Sequence, residues 1–226
     1  HERIEEMTKL DGQAPHIVFE ATGVYSKSVE AFFKNHGYTY SRMNPLEANL
    51  QMAKMRRHKT DSSDAHELAK THFKMEREAT YVQDDYYEQM RALTRYYDEV
   101  DEEMILLKSR MHAILHMSFP ELEKLITPSS ALFLNIVQLY PHPALVLSHS
   151  KTVIKNRLKA NTKKNLSLTR AEKKAIELIE AAQNSYPAIK PTDVRCDQVK
   201  DYATRIAELK EKKEALVQQM TELSKE

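Results

Sequence analysis

Lys-Thr-Asp-Ser-Ser-Asp-Ala-His-Glu-Leu-Ala, residues 59–69, passes from a basic loop into the start of a helix. Asp61 and Asp64 lie three residues apart, so both carboxylates project from one face of the first helical turn. Acidic residues suit this position, because the free N–H groups and the helix dipole favour negative charge there. Taken alone, the stretch predicts a helix capped by Thr60 or Asp61, with Asp64 on its surface.

The composition narrows the class of protein. The 226 residues, 30% charged and 41% hydrophobic, suffice for one large or two modest helix-rich domains. The net charge of +1 means that any contact with nucleic acid must come from a local basic patch. The single cysteine excludes an internal disulfide and a cysteine-based zinc cluster. Because there is neither a membrane-length apolar run nor a signal peptide, we expect a cytoplasmic protein without a membrane partner.

The first 45 residues predict a strand–helix–strand unit. All three glycines lie here, which favours tight turns between strands and helices, whereas the remainder favours helices. Strands are predicted at Ile17–Glu20 and Tyr38–Met43, on either side of a helix over 24–35, after a first helix over 1–10. Such a unit forms a parallel pair. Two strands do not form a stable sheet alone, so we expect further strands from additional sequence or another chain.

Glu20 ends the first strand, where open α/β sheets place their ligands. Its side chain could simply reach solvent at this point. Together with Asp61 and Asp64, however, it would form a cluster of carboxylates that repel one another unless a cation neutralises them. Hard divalent ions such as Mg²⁺ prefer oxygen ligands of this kind, so the three residues predict a metal site.

A run of basic residues precedes the acidic pair. Arg56, Arg57 and Lys59 could form an ordinary solvated loop. Beside a carboxylate–metal site they would instead hold the phosphates of a nucleic acid.

Three motifs together carry a family resemblance. They are Phe-Glu-Ala-Thr-Gly-Val-Tyr (19–25), Met-Asn-Pro (43–45) and Arg-His-Lys-Thr-Asp-Ser-Ser-Asp-Ala (57–65). In order, spacing and local chemistry, the sequence resembles bacterial insertion-sequence transposases of the DEDD class, which are similar to the DNA invertases that flip pilin genes. The resemblance implies a RuvC-like, RNase H-type N-terminal domain whose four acidic residues bind Mg²⁺ or Mn²⁺. It carries the second acid onto Glu20 and the third and fourth onto Asp61 and Asp64.

The resemblance also implies an activity. In this family the metal site cleaves and exchanges DNA strands, a serine from a further domain is implicated as the nucleophile, and a structured RNA guides the choice of target. The family's first aspartate would lie on a strand before His1, and its serine domain would follow Glu226. We therefore expect an internal piece of a transposase that is inactive alone. The alternative is a non-catalytic scaffold that binds nucleic acid and dimerises through its helices.

From Tyr86 onward the apolar residues follow heptads, at alternating steps of three and four. One seam comprises Met90, Leu93, Tyr97, Val100, Met104, Leu107, Met111 and Ile114, and the second comprises Val199, Tyr202, Ile206, Leu209, Lys213, Leu216, Met220 and Leu223. Lys213 at a core position weakens its seam locally and would fix the register. The seams predict two helices, about 84–118 and 193–226, that pair as an antiparallel hairpin. Extension of the coiled coil to a second subunit would give a homodimer or tetramer.

The segment between these helices is basic and predicts shorter helices. Ser129 or Ser130 would cap one ending at Leu139, and Thr169 and Glu172 have the spacing of a capping box. The cations are Lys151, Lys155, Arg157, Lys159, Lys163, Lys164, Arg170, Lys173 and Lys174. Such a run is usually a solvated face, but nine cations with one acid within 24 residues favour a contact with a nucleic-acid backbone.

Together these features predict an α+β, mostly α protein. Residues 1–80 would form a partial RuvC-like domain, and residues 81–226 a helical coiled-coil domain with a basic helical insertion over 127–190. The predicted partners are DNA and a guide RNA.

Overall fold

A computed structural model of the protein describes residues 2–52, 60–75, 79–80, 84–162 and 166–225, without the side chains of residues 49–52, 61 and 75. The chain divides into a first unit, residues 1–83, and a second unit, residues 84–226. The described residues are mostly helical and contain one small parallel sheet, in agreement with the α+β, mostly α prediction. Among the described helices, none combines the length and apolar character needed to cross a membrane.

The first unit has the predicted strand–helix–strand order. Ile17 lies opposite Tyr40 and Glu20 opposite Met43 in a parallel pair, as predicted. Gly12 has a φ of 69° and its N–H bonds to the carbonyl of Thr8, which ends the first helix as expected of a left-handed residue there. The elements of this unit are α1 Glu2–Asp11, β1 Ile17–Glu20, α2 Tyr25–Asn35, β2 Tyr40–Met43, α3 Pro45–Met52 and α4 Asp61–Met75.

Helix α3 is an element that the sequence analysis missed. Two local signals mark its start. The first is Pro45 at the first helical position, where the missing N–H of proline leaves no hydrogen bond unmade. The side-chain oxygen of Asn44 accepts a hydrogen bond from the N–H of Leu46 at 2.9 Å and satisfies one of the free donors. The pair that ends strand β2 therefore also begins a helix.

The second unit is built on a hairpin of its two longest helices. Helices α5 (Asp85–Ser118) and α11 (Val194–Leu223) run antiparallel, since Arg205 pairs with Glu103 at 2.7 Å whereas Lys212, further along α11, lies 4.6 Å from the ring centre of Tyr96. The predicted intramolecular hairpin is confirmed.

Five further helices pack with the hairpin. They are α6 Leu122–Leu125, α7 Ala131–Leu139, α8 Pro143–Leu147, α9 Lys151–Asn161 and α10 Leu168–Gln183. Phe133, Ile154 and Leu178 from this set are essentially inaccessible and share one hydrophobic cluster with buried residues of α5 and α11. The insertion is therefore part of the second unit's core.

Local capping explains where these helices begin. Ser130 accepts a hydrogen bond from the N–H of Phe133, as predicted, and Asp193 caps α11 through the N–H of Arg195. The prediction of a capping box at Thr169 was wrong, because Ser167 caps α10. Pro143 occupies the first turn of α8, which its fixed φ suits.

Candidate metal centre and nucleic-acid interface

Helix α4 begins at a capping network centred on Thr60. The hydroxyl of Thr60 accepts a hydrogen bond from the N–H of Ser63 at 3.2 Å, and the Ser63 hydroxyl donates to the carbonyl of Thr60 at 2.8 Å. Of the two predicted caps, Thr60 is therefore the one used. Asp61 is the first helical residue, and the N–H of Asp64 bonds to the carbonyl of Thr60 at 2.9 Å. The start of α4 is thus fixed one turn before Asp64.

Helix α4 packs against β1 and the residue that precedes it. The rings of His16 and His72 are stacked, with centres 4.4 Å apart and planes 10° from parallel. One turn earlier in α4, Leu68 is buried in a cluster against which Val18 packs. Along the chain from His16 to Val18, the contacts with α4 therefore move from His72 toward Leu68, nearer the start of the helix.

We call this series of contacts between β1 and α4 the ladder. The repeat distances of strand and helix indicate where it would continue. Val18 and Glu20 lie in β1 and His16 immediately precedes it, so in extended backbone these alternate residues share one face. Asp64 precedes Leu68 by four residues and therefore lies on the same helical face. Two strand residues advance about 6.6 Å and four helical residues about 6 Å, so a straight continuation of this order would bring Glu20 and Asp64 to a similar level.

The side chains of Glu20 and Asp64 are both half-buried. Over the described ranges, neither side chain has a hydrogen-bond or ion-pair partner. The side chain of Asp61 lies outside the described residues, as do Arg56, Arg57 and Lys59. Among the described side chains, no group of three or more His, Cys, Asp or Glu residues is arranged to hold a metal ion. Of the three predicted ligands, Glu20 and Asp64 are thus the two whose side chains the structure describes.

The histidine pair at the other end of the ladder was not singled out from the sequence. His16 Nε2 lies 2.8 Å from Ser41 Oγ, a hydrogen-bond distance. Partial burial and the neighbouring His72 ring lower the pKa of His16 below its usual 6.5. The available signal was spacing, because His72 continues the four-residue steps from Asp64 through Leu68.

Several basic residues of the second unit are paired with acids. Lys151 Nζ lies 2.8 Å from a carboxylate oxygen of Glu172, and Lys174 Nζ lies 2.7 Å from one of Glu177. Lys173 approaches Glu177 more loosely, at 4.0 Å. The hydrogen bond from Lys151 lowers the pKa of Glu172 below its ordinary value. The charges of these three lysines are thus partly balanced within the protein.

The other predicted cations lie on α9, on α10 and between them. Arg157, Lys159 and Arg170 are exposed and Lys155 is half-buried, whereas Lys163 and Lys164 lie outside the described residues. Lys159 and Arg170 have no acidic partner within the described part of the chain. These two side chains are therefore the clearest candidates for a contact with phosphate.

A family profile described as transposase, of the IS110-type DEDD class, matches residues 2–120. The chain belongs to this transposase family. The match spans both strands, helix α4 and the ladder between them. A second profile, Nop, described as "snoRNA binding domain, fibrillarin", is similar to residues 96–224 of the transposase. No curated protein matches the chain.

Proposed function

We propose that this transposase uses a RuvC-like first domain for divalent-metal-dependent cleavage and exchange of DNA strands. Glu20, Asp61 and Asp64 would hold Mg²⁺ or Mn²⁺. The observation that supports the proposal is the packing of α4 against β1, the two elements that carry Asp64 and Glu20.

The residues present fit such an ion. Carboxylate oxygens are the hard ligands that Mg²⁺ and Mn²⁺ prefer, and Mg²⁺ typically uses one or two carboxylates while keeping several waters. Glu20 and Asp64 have no other side-chain partner over the described ranges. The free N–H groups at the start of α4 also favour negative charge at Asp61 and Asp64.

The contribution of the protein is orientation. Glu20 is fixed by strand pairing and Asp64 by a capped helix, so both carboxylates are mounted on regular elements. When bound, the ion would orient the attacking oxygen and stabilise the charge that develops on the phosphate. The basic residues Arg56, Arg57 and Lys59 would contact the phosphates beside the site.

Calorimetric titration with Mn²⁺ tests this site. Glu20→Gln, Asp61→Asn and Asp64→Asn each remove one anionic ligand without changing the size of the side chain, and each is expected to weaken binding at least tenfold. Asp11→Asn removes a carboxylate from the end of α1 and serves as the matched control, with unchanged affinity. If the three ligand variants bind Mn²⁺ as tightly as the parent while remaining folded by circular dichroism, the metal site is wrong.

We further propose that the second unit binds a structured RNA, in line with a guided choice of DNA target. Support comes from the similarity of residues 96–224 to a domain described as binding snoRNA. The basic residues over 151–174 would contact its backbone. Among those described, Lys159 and Arg170 would contribute most, because their charges are not balanced by a neighbouring acid.

The salt dependence of RNA affinity distinguishes free cations from paired ones. With a labelled RNA hairpin as the probe, replacing both Lys159 and Arg170 by Ala should reduce the slope of log K against log salt by about 1.4, or about 0.7 for each lost single-strand phosphate contact. The matched double variant Lys151→Ala, Lys173→Ala removes two cations that already face Glu172 and Glu177 and should change the slope less. Equal slopes in parent and both double variants would contradict an RNA surface here. Binding of the hairpin without Mn²⁺ binding at Glu20 and Asp64 would favour the non-catalytic scaffold.

A further inference from the structure

Two histidines and a glutamate meet near the end of helix α5, outside the carboxylate site. His112 and His116 lie four residues apart and therefore share one face of the helix. Both are exposed, and their ring centres are 6.3 Å apart with planes inclined by 31°. Glu123, from helix α6, places a carboxylate oxygen 2.5 Å from Nδ1 of His112.

The contact with Glu123 determines which nitrogen of His112 is available. A carboxylate only accepts hydrogen bonds, so Nδ1 of His112 carries the hydrogen and donates it. In the neutral ring, Nε2 then keeps a free lone pair. A histidine that donates one N–H to a carboxylate while its other nitrogen faces outward is the usual arrangement of a metal-binding imidazole and its supporting acid.

The spacing of the two rings suits a shared metal ion. Two imidazoles bound to one tetrahedral ion, with metal–nitrogen distances of about 2.0–2.1 Å, have ring centres about 5 Å apart. The observed separation of 6.3 Å is wider by about 1 Å, a gap that small side-chain rotations of two exposed residues can close. Pairs of histidines at this helical spacing bind Zn²⁺ in other proteins because both side chains project from one face.

We propose that His112 and His116 form a binding site for a borderline transition-metal ion of the Zn²⁺ class. The two imidazole nitrogens would be the protein ligands and water would complete the coordination. Glu123 would act as a positioning residue that holds the His112 ring. The two proposed sites should prefer different metals. Imidazole suits Zn²⁺, Ni²⁺ and Cu²⁺, whereas the carboxylates of the first unit suit Mg²⁺ and Mn²⁺.

Calorimetric titration of the untagged protein with Zn²⁺ at pH 7.5 tests the site. The parent is expected to bind one ion through this pair, and His116→Ala should lower the affinity at least tenfold. Glu123→Gln keeps the size of the side chain but removes its charge, and loss of a supporting group of this kind weakens metal binding about 10- to 100-fold. Lys108→Ala, one turn before His112 on the same helical face, is the matched control and should leave Zn²⁺ affinity unchanged.

Electron paramagnetic resonance with Cu²⁺ gives a second readout that counts ligands. The parent should show couplings to two imidazole nitrogens, and His116→Ala to one. Zn²⁺ affinity that is unchanged in both His112→Ala and His116→Ala would overturn the site, and unchanged affinity in Glu123→Gln would overturn the role of Glu123. Mn²⁺ binding by the His116→Ala variant reports on the carboxylate site separately, so failure of one site is distinguishable from failure of the other.

Discussion

The two units differ in how their elements are held together. In the described part of the first unit, the buried cluster contains Met43, Ala48 and Leu68. The second unit has a continuous core that joins the long hairpin to the helices of the insertion, with Phe133 among the side chains at its centre. The described buried cluster of the first unit is therefore small and joins β2, α3 and α4, whereas the second unit depends on close packing over many residues. Loss of a polar contact should therefore affect the stability of the first unit more, and a cavity should affect the stability of the second unit more.

The largest expected effect is a cavity in the second unit. Phe133 is 0% exposed, and Phe133→Ala should lower the free energy of unfolding by about 3–5 kcal/mol through lost burial and an unfilled cavity. Leu106 is 49% exposed, and Leu106→Ala should change the free energy of unfolding by less than about 0.5 kcal/mol. Urea unfolding followed by circular dichroism measures both. A similar shift for the two variants would contradict a closely packed core around Phe133 in the second unit.

A smaller effect is expected at the polar position within the hairpin. Lys213 pairs with Asp101 and lies 4.2 Å from the ring centre of Tyr97, and these contacts raise its pKa, chiefly through the hydrogen bond to Asp101. Lys213→Ala should cost about 1 kcal/mol, because the pair is only partly shielded from water.

Lys213→Leu provides the matched comparison for the hairpin. It completes the apolar seam and should equal or exceed the parent in stability, since hydrophobic side chains often replace ion pairs without loss. Urea unfolding of the two variants measures both effects. A large loss in the Leu variant would mean that the charge itself is required.

The smallest effect is a pH dependence confined to the first unit. The pKa of His16 is lowered in the folded state, so the unfolded chain binds a proton more readily. The contribution of His16 to stability should therefore be complete above about pH 6.5 and fall as the pH decreases through that value. Hydrogen exchange of the β1 and α4 amides, corrected for intrinsic rates, should accelerate between pH 7.5 and 5.5.

A variant of the stacked ring checks this cause. His72→Phe keeps an aromatic partner for His16 but removes the second imidazole that can become charged. The acid sensitivity of β1 and α4 should decrease in this variant. An unchanged response would show that the stacked pair is not its source.

Local signals made much of the fold predictable. The bounds of β1 and the caps at Ser130 and Asp193 follow from residue patterns within a few positions of each element. The predictions failed where two signals competed. The pair Asn44-Pro45 ends β2 but also begins the unpredicted helix α3, and Ser167 caps α10 in place of Thr169.

The candidate site was only partly accessible from the sequence. The acidic residues follow from their chemistry and from the resemblance to DEDD transposases, and the family profile confirms that resemblance. Pairings between distant residues carry no such local signal. Nothing near Lys151 indicates that Glu172, 21 positions away, balances its charge, and nothing near His16 indicates that His72 stacks on it.

The ladder between β1 and α4 also provides an internal reporter. The stacked histidines lie about 13 Å along the strand from Glu20, too far to bind the same ion. An ion that draws Glu20 and Asp64 together would tighten the open end of the ladder and shift α4 slightly along its length. The ring protons of His16 and His72 sense each other's ring currents at 4.4 Å, so their chemical shifts should record that movement. Occupancy of the proposed metal site should therefore be measurable from the signals of two aromatic rings that are not among its ligands.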